Sequence, residues 1–391
     1  MEEKKSLLSI HILFKSIISV YFDSFFVLYF LGVTNYDVVP IVKYYFTLYL
    51  FLFISFLVIR NVMKRNIKVP YLRIGISLQA LYIATIMLLK ENIVNYVFLV
   101  GILRGFANGF YYYPQSLLNS EKITNQERSK FDGLTFVINN IASIVIPIIL
   151  GVALTYMSYI EIGKIFFLLF ILMFILSFKL KDGKYNTKKA DIKGFIKLVK
   201  ESKDVKRALL MPFLGGLTYF SGSFALMITL IKVMNFNTNL ALGTIESVCA
   251  IISLGVSILY SLKLNRDKKS KLLKVGGILI LISLIVYALH PTLITFIILL
   301  LINSSFVWLF NLTATTVGID LSNSKEIKTK YKPEYLLARE FALNSSRCLG
   351  FIVVLIVTIK FGSDALKYLL IISGFIILLE SFVTSKYLNE K

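Results

Sequence analysis

The sequence predicts an all-α polytopic membrane protein of about 12 transmembrane helices, built as two six-helix halves with both N- and C-termini cytoplasmic. Three observations carry this expectation. The 391 residues are 57% hydrophobic and only 17% charged, a balance too apolar for a soluble domain of this length. Apolar stretches of the roughly 20 residues that a bilayer-crossing helix needs recur from Leu7 almost to the end, separated by short polar punctuation. The basic residues also take sides. Of 43 Lys and Arg, about 34 fall in tails and loops on the cytoplasmic side if the N-terminus is inside, and about 6 in or beside the outer loops. Lys15, Arg104 and Arg347 are embedded in spans.

The expected spans are Leu7 to Val33, Val39 to Ile59, Tyr71 to Leu89, Asn95 to Leu118, Phe131 to Tyr156, Ile162 to Phe178, Ala208 to Met234, Leu240 to Leu262, Leu272 to Leu289, Leu293 to Gly318, Glu340 to Ile359 and Ala365 to Ser385. The first is a real span, because "MEEKKSLLSIHILFK" lacks the compact apolar core and small-residue cleavage site of a secretory signal. The fourth carries Gly101, Gly105 and Gly109 at the spacing that lets another helix approach closely, then Pro114, which removes a backbone hydrogen bond. Between the sixth and seventh lies the longest polar stretch, Lys179 to Arg207. It divides the chain into an N-terminal six-helix bundle (1–179), a basic cytoplasmic central loop (180–207) and a C-terminal six-helix bundle (208–391). Within that loop Ile192 to Val199 is amphipathic and suited to lying on anionic headgroups.

Several function classes lose support on composition. The net charge of +21 would point to nucleic acid in a soluble protein, but its one-sided placement is the positive-inside signature, so no nucleic-acid partner is expected. Cys249 and Cys348 both fall in predicted helices and His11 and His290 are far apart, which supports neither a disulfide framework nor a metal site. No phosphate-cradling glycine loop and no catalytic constellation stands out. No enzyme activity and no cofactor is expected, and a polytopic membrane transferase is the least favoured alternative. The abundance of Lys, Ile, Asn, Phe and Tyr fits AT-rich codons, hence a bacterial cytoplasmic membrane.

Polar groups inside spans are costly unless they pair or line a wet cavity, so they are the candidate site residues. In "REFALNSSRCLGF" Glu340, Asn344 and Arg347 fall at offsets of 0, +4 and +7, within an arc of roughly 60° on one helix face. Asp23 is the deepest acid of the first span and shares a face with Ser16 and Ser19, while Arg104 of the fourth span lies at a similar depth. An Asp23–Arg104 couple is therefore geometrically reasonable. Asn108 follows Arg104 by one turn, and Tyr111 and Tyr112 of "FYYYPQ" are candidates for a cavity wall. Ser304, Trp308, Asn311 and Thr315 form a polar stripe along the tenth span. Thr218 and Ser221 make a weaker one in the seventh, and Glu246 in the eighth is a further candidate proton site.

Local motifs add to the six-plus-six layout. "SLKLNRDKKSKLLKVGG" after the eighth span resembles the loop signature of the major facilitator superfamily: a small residue, an acid, then a basic cluster. The matching first-half loop, "RNVMKRNIKVPYLRIG", keeps the basic residues but lacks the glycine and the acid. "LRGFANGF" resembles that superfamily's fourth-helix pattern, and Pro147 with Gly151 in "SIVIPIILGV" resembles a thin version of a pattern associated with exporters. "ERSKFDGLTFVINNIAS" and "AREFALNSSRCLGFIV" open the fifth and eleventh spans, equivalent positions in a two-half transporter.

The resemblance implies a monomeric secondary transporter whose halves rock about a midplane site. Its first and fourth helices would border the cavity, placing Asp23 and Arg104 near mid-membrane, and its tenth would face the same space. The expected cargo is a small organic or amphipathic solute, with proton coupling and export as the favoured refinements. A flippase for lipid or a lipid-linked precursor is the alternative, and membrane lipid is the other expected partner.

Overall fold

The computed structural model describes residues 2–18, 20–62, 67–123, 125–182, 191–219, 239–263, 266–322, 324, 327 and 331–389. The described secondary structure is helical throughout. Eight stretches are long and apolar enough to cross a membrane by length and composition: Val38–Ile59, Val69–Asn119, Val137–Tyr156, Tyr159–Ser177, Asn239–Val256, Lys268–Leu289, Glu334–Phe361 and Leu366–Asn389. The second is two helices joined by a 3-10 segment, and shorter apolar helices cover Tyr21–Val33 and Leu293–Val307. Of the expected seventh span, only the part up to Tyr219 lies within the described residues.

The chain divides into two compact units, Met1–Thr187 with Asn237–Val248, and Lys188–Phe236 with Cys249–Lys391. In the first, α1 (Glu2–Ile12) runs into π-helical turns at Leu13–Ile18 and Tyr21–Phe25 before α2 (Phe26–Val33). The expected single first span is thus broken twice. Next come α3 (Val38–Val62), α4 (Val69–Leu89), α5 (Val97–Lys122), α6 (Asn125–Tyr156) and α7 (Tyr159–Ser177).

The glycine stripe of α5 faces α3. A Cβ at Gly105 would stand 2.5 Å from the Leu48 carbonyl oxygen and 2.8 Å from the Leu52 nitrogen, and one at Gly101 would stand 2.9 Å from the Tyr44 carbonyl. On another side of α5, a Cβ on Gly75 of α4 would meet the Phe110–Tyr111 backbone at 2.5 Å. Two helices therefore approach α5 backbone to backbone, as glycine permits. The α5 helix continues through Pro114.

The basic ends of this unit are tied by charge. Asp182 accepts from the backbone N–H groups of Lys68 and Val69 at 2.6 and 2.9 Å, satisfying the open donors at the start of α4. The first-half loop thus receives from Asp182 an acid that its own sequence lacks. Glu3 pairs with Lys122 at 2.7 Å and accepts from the Lys181 N–H at 3.0 Å. Burial raises the Glu3 pKa, but the Lys122 hydrogen bond, the Lys181 amide and the two lysine charges outweigh it and hold the carboxyl below its usual value.

The second unit holds α8 (Ile192–Glu201), α9 (Lys203–Thr218), most of α10 (Asn239–Lys263), α11 (Arg266–Leu289), α12 (Leu293–Ser322), α13 (Lys332–Phe361) and α14 (Leu366–Asn389). The α8 helix also packs against protein. Its apolar face does not serve a headgroup layer alone, because Phe195 is buried in a cluster with Val205, Met211, Tyr331, Tyr335 and Tyr387, and Leu198 and Val199 pack against it. Burying these side chains against protein is the stronger sink for apolar surface, while Ile196 stays exposed. The α11–α14 contact is also close: a Cβ at Gly277 would meet the Ser381 side chain at 2.5 Å, and Ser270 and Ser385 each donate a hydroxyl to the other's carbonyl.

Candidate functional site

The best-connected polar group in the first unit is centred on Arg104. Its guanidinium donates to Gln79 Oε1, and Gln79 Nε2 donates to Asn108 Oδ1 at 2.7 Å. All three side chains are buried, Arg104 at 4% exposure and Gln79 at 0%. The guanidinium also lies over the rings of Phe22 (4.2 Å) and Tyr82 (5.0 Å), where the ring faces attract a cation. Tyr82 in turn shares a 2.7 Å hydrogen bond with Tyr44. The helices around α5 can hold this group rigidly because the glycines beside Arg104 and Asn108 bring their backbones together.

Asp23 sits on the second π-helical turn and is exposed. Its charge acts on Arg104, Tyr45 and Tyr82, and Tyr112 also acts on Arg104. The sequence-predicted Asp23, Arg104, Asn108 and Tyr112 are therefore neighbours. Asp23 and Tyr112 are exposed on the surface of the unit, while Arg104 and Asn108 are buried. Tyr111 takes a different place. It is 1% exposed, donates to the Ile10 carbonyl at 3.2 Å and packs on Phe14 at 4.0 Å, so it bolts α5 to α1. Lys15, Ser16 and Ser19 lie outside the described side chains.

In the second unit Glu340 begins well inside α13, more than a turn past Lys332, and so is not a frayed end. Asn344 is fully buried, donates to the Glu340 carbonyl at 2.9 Å and accepts from Arg347 at 3.4 Å. The charges of Arg339 and Arg347 act on the Glu340 carboxylate, and the Arg347 guanidinium stands 5.0 Å from the Tyr219 ring. The face read from the sequence thus forms one connected chain. Close packing fixes α13 against α9, since a Cβ at Gly216 would meet the Leu343 carbonyl at 2.6 Å.

The remaining candidates are less connected. Ser304 offers its carbonyl to Ser253 at 2.8 Å, and Thr218 donates to the Gly215 carbonyl at 2.9 Å. Glu246 is half-buried on α10, in the segment that clusters with the first unit. The side chains of Trp308, Asn311 and Thr315, and residue Ser221, lie outside the described residues.

Two residues escaped the sequence reading. Gln79 is the hinge of the Arg104 chain, and its signal was a lone amide in the span "RIGISLQALYIATIML". Glu380 lies inside the expected last span, Ala365 to Ser385, and no role was assigned to it. It sits more than two turns from the end of α14 at Asn389, is 4% exposed and has no hydrogen bond or ion pair among the described residues. A Cβ at Gly215 of α9 would lie 3.5 Å from its Oε1.

Chemically the two chains offer guanidinium, amide, phenol and exposed carboxylate, a set suited to hydrogen-bonding and charge exchange. Among the described residues no group of three His, Cys, Asp or Glu side chains could hold a metal ion.

Comparison with known proteins agrees with this architecture. The profile of the Major Facilitator Superfamily matches residues 16–329. The chain is 23% identical over 324 residues to the uncharacterized protein YqgE of Bacillus subtilis (strain 168), covering 80% of this chain and 73% of that protein. Among solved structures, it is similar to a bacterial homologue of the iron transporter ferroportin in an inward-facing state, with a TM-score of 0.72 at 14% identity and 98% of each chain covered. It is also similar to the nucleoside transporter NupG, with a TM-score of 0.70 at 13% identity and 100% of each chain covered. These structures share the fold, and the profile match covers most of the sequence. The chain belongs to the Major Facilitator Superfamily, as a multi-pass membrane secondary transporter rather than an enzyme.

Proposed function

We propose that this transporter moves a small organic or amphipathic solute by alternating access, coupled to protons and in the direction of export. The observation that carries this reading is the layered site of the first unit, with exposed Asp23 and Tyr112 above a buried, amide-braced Arg104. An exposed carboxylate whose field reaches a fixed guanidinium can trade its ion-pair partner for a proton or for a substrate group. The second unit supports the same reading with Glu340, Asn344 and Arg347 on one face. The structural relatives are named for iron and for nucleoside, so their shared fold does not choose a cargo. The amide, phenol and guanidinium groups suit an organic solute with hydrogen-bonding groups better than a bare metal ion.

Export is favoured by the Pro147 and Gly151 pattern, which takes part in a close helix crossing. A Cβ at Gly151 would stand 2.9 Å from the Asn239 carbonyl, and one at Gly243 would stand 3.4 Å from the Gly151 Cα.

The test begins with a thermal-shift screen of the purified protein against metabolites, drugs and lipid precursors, since a ligand of the folded state raises its apparent stability. A hit is then followed by flux in proteoliposomes carrying an imposed pH gradient. Asp23→Asn and Glu340→Gln should each uncouple flux from the gradient. Gradient-driven flux unchanged in both variants refutes the proton coupling. Stabilisation by a lipid precursor alone, with headgroup translocation in vesicles, replaces the solute reading with a flippase.

A further inference from the structure

At the end of the first unit away from its basic loops there is a cavity of about 660 Å³, inside the range of small-molecule sites. It is walled by the C-terminal end of α2, the 3-10 segment after α4, the α6–α7 turn and the start of α10. None of the residues discussed as the transport site lines it.

Four properties of its lining point one way. Glu91 is the sole charged residue in it, and no Lys or Arg joins it. Tyr29, Tyr36 and Tyr159 supply aromatic surface. Tyr29 stacks on Tyr159 at 4.5 Å, Tyr159 stacks on Tyr21 at 4.3 Å, and Tyr21 stacks on Phe166 at 4.3 Å, so the wall is the exposed end of an aromatic column. Carboxylate and ring coincide, because the Glu91 charge acts on Tyr29. Finally, the Glu91 carboxylate, the Asn35 amide and the Tyr29 and Tyr36 hydroxyls have no hydrogen-bond partner among the described residues.

The backbone supplies a separate observation. Among the described residues the positive φ angles outside glycine are at Asn35 (50°), Tyr36 (64°) and Lys90 (46°). Two of these residues line the cavity and the third precedes Glu91. A bulky residue such as tyrosine is unfavourable in the left-handed region, and such residues persist where the surroundings over-determine them, often at ligand clamps. Here hydrogen bonds from the Asn35 and Tyr36 N–H groups to the Gly32 and Leu31 carbonyls, at 3.3 and 2.8 Å, hold the turn that presents Tyr36.

We propose that this outer cavity is a binding site for small organic ammonium cations, held by the Glu91 carboxylate and the faces of Tyr29 and Tyr36, with Tyr159 backing Tyr29. Ring faces attract a soft, weakly hydrated cation, and one acid without a competing base sets the sign. A single carboxylate with aromatic walls is a poor metal site and a good quaternary ammonium site. The inference does not depend on the proposed cargo or coupling, because binding is read without flux.

The experiment is isothermal titration calorimetry of the purified full chain with choline, and with its uncharged isostere 3,3-dimethylbutan-1-ol. Choline should bind at least roughly ten-fold more tightly than the isostere, since only the cation gains from the carboxylate and the rings. Glu91→Gln should weaken choline by about ten-fold and Tyr36→Leu by about five-fold, while Glu91→Asp retains binding. Thermal unfolding of each variant reports that it is folded, and Glu91 is exposed enough for its substitution to be tolerated. Equal binding of choline and the isostere, no binding of either, or choline binding unchanged in Glu91→Gln overturns the proposal. Choline binding that persists while flux of every solute fails would remove the transport reading and leave this site standing.

Discussion

Replacing Gln79 by leucine isolates the interaction that organises the Arg104 site. Gln79 is fully buried, accepts from the Arg104 guanidinium and donates to Asn108 at 2.7 Å. The first bond is charge-assisted and worth about 1.5–3 kcal/mol. The second is a neutral hydrogen bond between spans, for which about 0.6 kcal/mol is typical because the membrane-embedded unfolded chain also finds partners. Gln79→Leu should therefore destabilise by about 2–4 kcal/mol. Arg104→Leu alone should cost less, since it removes a buried charge together with its bond. The double variant should be more stable than the sum of the two losses predicts, by a coupling energy of about 1.5–3 kcal/mol. Unfolding in mixed micelles with increasing denaturing detergent measures all four corners of the cycle. Additivity within about 0.5 kcal/mol refutes the reasoning, and would mean that Asp23 and the Phe22 and Tyr82 rings hold the guanidinium without Gln79.

Three further outcomes follow from the packing and the charges. Gly105→Ala places a Cβ 2.5 Å from the Leu48 carbonyl, about 1 Å short of ordinary contact, and should lower stability by about 1–3 kcal/mol as α3 and α5 separate; an unchanged unfolding midpoint contradicts the backbone contact. Because the folded Glu3 carboxyl is held below its usual pKa, its contribution is present above the unfolded value and is lost as pH falls through the folded one. The gap between wild type and Glu3→Gln should therefore be small, constant near neutrality and closed in strong acid, as unfolding midpoints across that range would show. Glu380→Leu should raise stability by about 1–3 kcal/mol by removing a buried acid without a described partner, whereas a loss of stability would reveal that the acid is paired.

Much of this arrangement was legible because membrane chains write their topology in long apolar runs and one-sided charge. Glu340, Asn344 and Arg347 could be placed together by arithmetic alone, since a helix fixes the azimuth of each residue and all three lie on one helix. Asp23 and Arg104 lie on different helices, so the sequence could match their depth but could not supply Gln79, which comes from a third. The same limit hid Glu380, whose cost appears only once α9 packs against α14. Tyr111 and Tyr112 are adjacent and chemically identical, yet a turn of about 100° sends one into α1 and leaves the other open. The π-helical turns left no pattern in the composition of the first span, because they change the hydrogen-bond register without changing which residues are apolar.

Those turns acquire a mechanical meaning from Tyr21 and Tyr159. Each donates its hydroxyl to the other's backbone carbonyl, at 2.7 and 3.3 Å, with the rings stacked between. A π turn holds one residue of slack, and releasing that slack would rotate everything beyond it by roughly 100°. The tyrosine clasp fixes the azimuth of the helix at Tyr21, two residues before Asp23. Slack stored at Leu13–Ile18 can be gained or lost without turning Asp23, whereas slack at Tyr21–Phe25 lies on the acid's side of the clasp, so its release would turn α2 while Tyr21 stays fixed. The first helix is thus a shaft with a free end and a keyed end, and the acid sits on the keyed end.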